Sequence, residues 1–94
     1  MIKSFADKET RKLWEGRNSK SVPPHFREKA EAKLTSVDIA TNVDELRIPP
    51  SNHLHKLSGD REGQMAINIT DKYRLCFVFE GGDAYEVEIV DYHP

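Results

Sequence analysis

Residues 65–94 read MAINITDKYRLCFVFEGGDAYEVEIVDYHP and carry the strongest structural signal in the chain. Apolar side chains recur at every second position within three short runs, at 65–69, 73–79 and 85–89. Because successive side chains of a strand point to opposite faces, this alternation predicts three β-strands that share one buried face. Short polar or glycine-containing breaks separate the runs, which favours an antiparallel meander.

The break after the second run sets the predicted register of the last two strands. A two-residue loop at Gly81 and Gly82 would place Phe79 opposite Ala84, and it would set core residues against solvent-facing ones. A three-residue loop that includes Asp83 keeps apolar residues opposed, and directly opposed residues share a face. The longer loop is therefore predicted. The pairs that follow are Phe79–Tyr85, Phe77–Val87 and Leu75–Ile89 and, for a loop at 70–72, Ile69–Tyr73, Ile67–Leu75 and Met65–Phe77.

The N-terminal residues predict a weak edge strand at 2–4 and then a short helix from Lys8 to Glu15. Asp7 is the predicted N-cap, since its carboxylate can accept from an otherwise unpaired N–H group of the first turn. Gly16 is the predicted stop, because glycine tolerates the left-handed conformation that often follows a helix. Trp14 is expected to anchor this helix in the core.

A second helix is predicted to open at Pro23 and Pro24, where a missing N–H costs least, and to fade by Thr41. Its apolar residues recur at helical spacing: Phe26, Ala30, Leu34 and Val37. Lys29 and Lys33 lie off that stripe and one turn apart. They form either a solvated face or a row that faces phosphate groups. A turn of helix followed by coil is expected at 43–48.

Composition bounds the class of protein. The 94 residues are 37% hydrophobic and 32% charged, with a net charge of −2, so one modest domain covering residues 1–94 is expected. Residues 1–47 contain ten Lys/Arg and eight Asp/Glu, whereas residues 48–94 contain four and eight. The order of elements predicts an α+β fold, with two N-terminal helices packed on a small antiparallel sheet.

The sequence also indicates where the protein works. There is no apolar run near the ~18 residues that a membrane span requires, and residues 1–9 lack the apolar segment of a secretory signal. The single cysteine, Cys76, cannot form an internal disulfide and falls on the non-core face of its predicted strand. A cytoplasmic protein that does not contact membranes is expected.

Two polar clusters are candidates for chemistry. His53 and His55 alternate within residues 51–63, and in an extended chain both imidazoles would point the same way. Asp91 and His93 continue the alternation of the last strand beyond the point where a core would end. Three interpretations fit: four metal ligands, acid–base chemistry on a phosphodiester without a metal, or polar loop residues beside a fraying chain end.

The segment LHKLSGDREG at 54–63, followed by YRLCFVF, GGDAYEVEI and DYH, resembles the HigB-type toxins of bacterial toxin–antitoxin systems, within the RelE superfamily. The likeness extends over nearly the whole chain, and its most specific features are GDREG and DYH together. The RelE-like fold that this implies, two helices on a small antiparallel sheet, agrees with the pattern described above.

The resemblance implies a ribosome-dependent endoribonuclease that cleaves mRNA in the decoding site and inhibits translation, with no metal or other cofactor. The catalytic residues implied are His55, Asp91, Tyr92 and His93. Those implied to contact RNA or the ribosome are Lys56, Arg61 and Arg74. A non-catalytic module that binds RNA or protein is the alternative.

The partners that the resemblance implies are the 70S ribosome with mRNA and a HigA-type helix-turn-helix antitoxin. The free protein is expected to be a monomer, and the complex with antitoxin a heterotetramer or larger. Two features depart from the family pattern. Lys56 follows His55 where the family has proline, and His53 is a competing imidazole. The predicted register also places Arg74 on the sheet face opposite Asp91 and His93. Either the last strand twists or bulges near Val90, or Arg74 is a structural residue and not a catalytic one.

Overall fold

A computed structural model describes residues 1–91, whose main elements are two helices and one sheet. The helices are α1 (Lys8–Trp14) and α2 (Arg27–Ile39), and the strands are β1 (His55–Lys56), β2 (Met65–Asn68), β3 (Tyr73–Glu80) and β4 (Asp83–Asp91). Short 3-10 turns cover Pro24–Phe26, Val43–Arg47, Pro50–Asn52 and Gly59–Arg61. The strands pair antiparallel in the order β1-β2-β3-β4, which is the predicted meander extended by one short strand.

Helix α1 ends as its glycine predicts. Gly16 has φ +78, and its N–H donates to the Leu13 carbonyl at 3.0 Å. The next N–H, of Arg17, donates to the Lys12 carbonyl at 2.8 Å, and the two bonds together form a Schellman cap. The predicted cap at the other end is wrong in its detail. Asp7 occupies the N-cap position with an extended backbone, but its side chain makes no capping hydrogen bond.

Helix α2 begins after a 3-10 turn that opens at Pro24, so the predicted entry is confirmed and the regular helix starts three residues later. It ends at Ile39, close to the predicted limit. Ala30, Leu34 and Val37 are fully buried, which confirms the apolar stripe. The 3-10 turn at Val43–Arg47 matches the helical turn expected there.

The β2–β3 register confirms the sequence prediction. Met65 pairs with Phe77 and Ile67 with Leu75, and the N–H of Ile69 donates to the carbonyl of Tyr73 at 2.9 Å. Odd-numbered residues of both strands therefore face the core. Their even-numbered neighbours face the opposite side of the sheet.

The β3–β4 register differs from the prediction in its outer half. The turn uses only Gly81 and Gly82, both at positive φ, so Phe79 pairs with Ala84 rather than with Tyr85. Further along, Leu75 pairs with Ile89 as predicted. A β-bulge in β4 reconciles the two registers, and the predicted pair Phe79–Tyr85 is wrong.

The bulge is centred on Glu86, which has φ +53, and it is held by the N-terminal segment. The N–H of Glu86 donates to Oγ of Ser4 at 2.9 Å, and the N–H of Val87 donates to the Ser4 carbonyl at 3.1 Å. Residues 2–5 thus run parallel to β4, with bridges Ile2–Ala84 and Phe5–Val87. The predicted edge strand at 2–4 exists as these isolated bridges.

One hydrophobic cluster joins the two helices to one face of the sheet. Its members include Leu13 of α1, Leu34 of α2, and Ile67, Leu75 and Ile89 of the sheet. Trp14 is not among them and is 37% exposed, whereas Leu13 is 1% exposed, so the expectation that Trp14 anchors α1 is wrong. Successive side chains of a helix point about 100° apart, so the two neighbours cannot both face the core, and Leu13 takes the inward position. No helix within residues 1–91 has the length and apolar content needed to cross a bilayer.

Candidate active site

His55 lies in β1, opposite Ala66, and faces the side of the sheet away from the core. Its Nδ1 lies 2.6 Å from the carbonyl oxygen of His53. A carbonyl oxygen only accepts, so Nδ1 carries the proton in this contact. His53 has φ +48 and ψ 52, a left-handed conformation. The extended chain that would align both imidazoles is therefore absent, and His53 acts on His55 through its backbone.

Arg74 approaches the other ring nitrogen of His55. Its Nη1 lies 3.3 Å from Nε2. A guanidinium only donates, so Nε2 presents its lone pair to Arg74, and the two contacts together select one neutral tautomer of the imidazole. The result is a proton acceptor held beside a permanent cation.

An open depression of about 340 Å³ contains this pair. Its lining residues are His53, Leu54, His55, Asn68 and Arg74. Asn68 pairs directly with Arg74 across β2 and β3, so its amide lies on the same face as the guanidinium. The depression thus joins a base, a cation and an amide at an exposed surface, a combination that suits an anionic substrate with a proton to be removed.

The predicted RNA contact Arg61 lies further along the same face. Its Nη1 lies 3.1 Å from a carboxylate oxygen of Glu88 and 3.1 Å from Oε1 of Gln64. Glu88 pairs with Cys76 across the sheet, and the Cys76 side chain is buried. Burial raises the pKa of the Cys76 thiol, and the Glu88 carboxylate acts in the same direction, against the positive charges of Arg61 and Arg74. Arg61 is therefore part of an ion pair near a neutral thiol.

Lys56 is not brought to the depression. It follows His55 in β1 and pairs with Met65, so alternation directs it to the other face. It lines a separate cleft of about 280 Å³ near the loop that ends at Gln64.

Asp91 is the last described residue of β4 and pairs with Tyr73. Tyr73 belongs to the core-facing series, whereas Arg74 pairs with Val90 on the other face. The register therefore places Arg74 and Asp91 on opposite faces as expected, and the bulge lies at Glu86 rather than near Val90. Tyr92 and His93 lie outside the described residues.

Asn52 is a functional candidate that the sequence pattern missed. It is 1% exposed, and its amide nitrogen donates to the carbonyls of Leu46 and Ile48 at 3.0 and 3.4 Å. Its amide oxygen accepts from Nζ of Lys33 in α2. A buried polar side chain with all these partners fixes the loop that leads directly into His53. Its signal in sequence, one asparagine in a polar loop, is too common to be recognised.

The alternative of a metal site depended on the two histidines together with Asp91 and His93. Within residues 1–91, no three His, Cys, Asp or Glu side chains lie close enough together to hold a metal ion. His55 instead directs both ring nitrogens to protein partners.

Comparison with known proteins places the chain in a family. A model of HigB-like toxins, described as RelE-like toxins of type II toxin–antitoxin systems, matches residues 3–93. "Endoribonuclease HigB" of Proteus vulgaris is 38% identical over 93 residues, covering 99% of this chain and all of that protein. "Toxin HigB-1" of Vibrio cholerae is 31% identical over 85 residues, covering 89% and 90%.

A solved structure shares the fold. The YoeB–YefM complex from Staphylococcus aureus matches with a TM-score of 0.61 at 17% identity, covering the whole of this chain and 97% of that one. The match supports the α+β architecture. Because the identity is only 17%, the match is evidence for the fold alone. The family match over nearly the whole chain decides the assignment: the protein belongs to the HigB family of RelE-like toxins of type II toxin–antitoxin systems.

Proposed function

We propose that this toxin is an endoribonuclease that cleaves mRNA on the ribosome by acid–base chemistry without a metal, and so inhibits translation. The observation that carries the proposal is the His55–Arg74 pair, in which a neutral imidazole presents Nε2 to an exposed depression beside a guanidinium. RNA suits this pair because its 2′-hydroxyl is a nucleophile already attached to the substrate. The name of the Proteus vulgaris relative agrees with this activity.

The first step transfers the 2′-hydroxyl proton to Nε2 of His55 while the 2′-oxygen attacks the adjacent phosphorus. Arg74 turns from Nε2 to the non-bridging phosphate oxygens, where its N–H groups stabilise the charge that develops in the transition state. The bond from phosphorus to the 5′-oxygen then breaks. The products are a 2′,3′-cyclic phosphate and a 5′-hydroxyl, so no water is consumed.

The leaving 5′-oxygen needs a proton, and we assign its delivery to His93. Asp91 orients His93, and Tyr92 supplies a phenol donor or a ring on which a base stacks. These three roles come from the terminal Asp-Tyr-His sequence that the chain has in common with the HigB pattern. Two histidines of opposite protonation give the base and the acid that this cleavage needs at neutral pH.

Lys56 and Arg61 are proposed as contacts to RNA or the ribosome away from the reacting phosphate. Lys56 is exposed and faces the other side of the sheet, which suits a contact outside the depression. The guanidinium of Arg61 has five N–H donors, and its pairing with Glu88 and Gln64 uses one nitrogen, Nη1. Within residues 1–91 its other nitrogens form no hydrogen bond or ion pair, so their donors can reach a phosphate.

The ribosome supplies positioning in this proposal. With a net charge of −2, the protein has little general attraction for free RNA, and phosphate contacts dominate such binding. Holding the mRNA in the productive geometry is then the contribution of the decoding site. The protein acts in the cytoplasm, as a monomer until a HigA-type helix-turn-helix antitoxin binds it in a heterotetramer or larger assembly.

The proposal is tested by incubating the purified toxin with mRNA, with and without programmed 70S ribosomes, and mapping the new RNA ends. We expect cyclic phosphate ends only when ribosomes are present, and unchanged cleavage with a chelator that removes transition metals but leaves ribosomal magnesium. Efficient cleavage of naked mRNA at physiological salt would contradict ribosome dependence. Stoichiometric zinc in the purified protein, together with loss of activity when that zinc is removed, would overturn the metal-free mechanism. Binding to RNA without cleavage would favour the alternative function, a non-catalytic module that binds RNA or protein.

A further inference from the structure

A second polar depression lies next to the His55–Arg74 depression. It has a volume of about 160 Å³, and we call it the lysine cleft. Its lining residues are Lys29 and Lys33 of α2, Ser51, and Asn68, Ile69, Thr70 and Asp71 at the end of β2. Ammonium, hydroxyl and amide groups from three separate segments therefore converge on one small space.

The electrostatics of the lysine cleft favour an anion. The pKa of Lys33 is lowered from its ordinary value, first because burial disfavours the charged ammonium and then because Lys29 carries the same charge. Neither lysine forms a salt bridge with any carboxylate of residues 1–91. The lining includes two ammonium groups against one carboxylate, Asp71, so the cleft carries a net positive charge.

Lys33 has donors left for a ligand. Its Nζ donates to Oδ1 of Asn52, which fixes the side chain, and an ammonium group has two further N–H bonds. Asn52 is in turn held by the carbonyls of Leu46 and Ile48, so the ammonium has a rigid support. A lysine anchored at a cleft in this way loses less freedom on binding than one that extends into solvent.

Asn68 connects the two depressions, because it lines both of them. A single strand of RNA whose reacting phosphate lies at His55 and Arg74 would meet the lysine cleft as it passes Asn68. Two depressions that each suit an anion and share a lining residue fit a polymer of repeated phosphates better than a small ligand with one anion.

We propose that the lysine cleft binds an RNA phosphate next to the one that is cleaved, through Lys29 and Lys33. This proposal rests on the proposed endoribonuclease function and adds the feature that sets the path of the RNA. Contacts to phosphates position a nucleic acid without reading its sequence, so the cleft fixes the register of the mRNA over His55 for any codon.

The test combines a protein variant with a modified RNA. Lys29→Gln removes one charge from an exposed lysine that forms no hydrogen bond or ion pair within the described part of the chain. Lys8→Gln, on α1, is the matched control. Each protein is assayed on ribosome-bound mRNA with a defined cleavage site, either unmodified or carrying a neutral methylphosphonate at the phosphate on one side or the other of that site.

On unmodified mRNA, Lys29→Gln should lower kcat/KM about tenfold, the effect expected for one charge-assisted hydrogen bond, and Lys8→Gln should match the parent. With the methylphosphonate at the bound position, the parent should lose the same factor, and Lys29→Gln should cause no further loss. This non-additivity identifies direct contact and excludes a general effect of charge.

Two results would overturn the lysine cleft alone, given that the parent cleaves unmodified mRNA. One is parental activity of Lys29→Gln. The other is an equal loss for Lys29→Gln on unmodified mRNA and on both modified mRNAs. If the parent fails to cleave unmodified mRNA on ribosomes, the endoribonuclease proposal fails, and the lysine cleft proposal fails with it.

Discussion

Nη1 of Arg74 lies 3.3 Å from Nε2 of His55, on the face of the sheet opposite the hydrophobic core. The contact spans β1 to β3 across β2, where His55 pairs with Ala66 and Arg74 pairs with Asn68. Two residues 19 positions apart thus form the centre of the candidate site. The resemblance to HigB-type toxins indicated both residues but not their contact.

The first prediction concerns the shape of the guanidinium. Arg74→Lys keeps the charge but loses the planar fork that donates to two phosphate oxygens, so it is not a conservative change here. We expect ribosome-dependent cleavage to fall about 10²-fold, close to Arg74→Ala, which is the scale for removing one transition-state donor. Single-turnover cleavage of ribosome-bound mRNA measures this. Near-parental activity of Arg74→Lys would show that Arg74 acts through its positive charge alone and that the planar guanidinium is not required.

The second prediction separates the two loop histidines. His55→Ala should lower the cleavage rate by about 10²–10⁴-fold, the usual contribution of a positioned base. His53→Asn should be nearly silent, because His53 contributes its carbonyl, and asparagine tolerates the left-handed conformation at φ +48. The cleavage rates of both variants are compared, with circular dichroism to confirm folding. A strong loss of cleavage rate for His53→Asn would indicate that His53, and not His55, is the general base.

The third prediction concerns the end of the chain. His93→Ala should abolish growth arrest on induction, because the leaving 5′-oxygen then has no proton donor, and Asp91→Asn should weaken activity less if Asp91 only orients the imidazole. Mapped mRNA ends and cleavage rates on ribosomes provide the measurement. A folded His93→Ala protein that cleaves at the parental rate would remove His93 from the mechanism.

The fourth prediction tests the β-bulge. Glu86 has φ +53, which a β-branched side chain adopts only at considerable cost. Glu86→Val should destabilise the fold by about 1–2 kcal/mol, whereas Glu86→Gly should be tolerated because glycine adopts this conformation freely. Urea unfolding midpoints of the purified variants measure this difference in stability. Equal midpoints for the two variants would show that the strand relaxes without the bulge.

The fifth prediction follows from the pKa of Cys76, which burial raises. In the unfolded chain the thiol ionises at its ordinary pKa, whereas the native protein keeps the proton to higher pH. The unfolded state then binds fewer protons, so stability falls as pH rises above the ordinary cysteine pKa. Between pH 7 and 9.5, the parent should lose more free energy of unfolding than Cys76→Ala. Equal losses of unfolding free energy in the parent and in Cys76→Ala would show that the buried thiol does not contribute to the pH dependence of stability.

Local patterns were sufficient for most of the elements. Alternation at 65–69 and 73–79 predicted β2, β3 and their register, because one buried face tolerates no shift by a single residue. Gly16 predicted the end of α1, since the left-handed cap needs no distant partner. The family resemblance indicated His55 and Arg74, and their identities required no tertiary information.

The tertiary structure decided what depends on distant segments. The β4 bulge is held by Ser4, whose Oγ accepts from the N–H of Glu86. Ser4 lies 82 residues from Glu86, so the sequence around Glu86 does not reveal the bulge. The contact of Arg74 with His55 requires β1, a strand of two residues that is too short to show any periodicity. The choice of Leu13 over Trp14 for the core depends on the sheet that α1 meets. In each case the deciding free energy comes from a hydrogen bond or packing contact between residues far apart in the chain, which no local window contains.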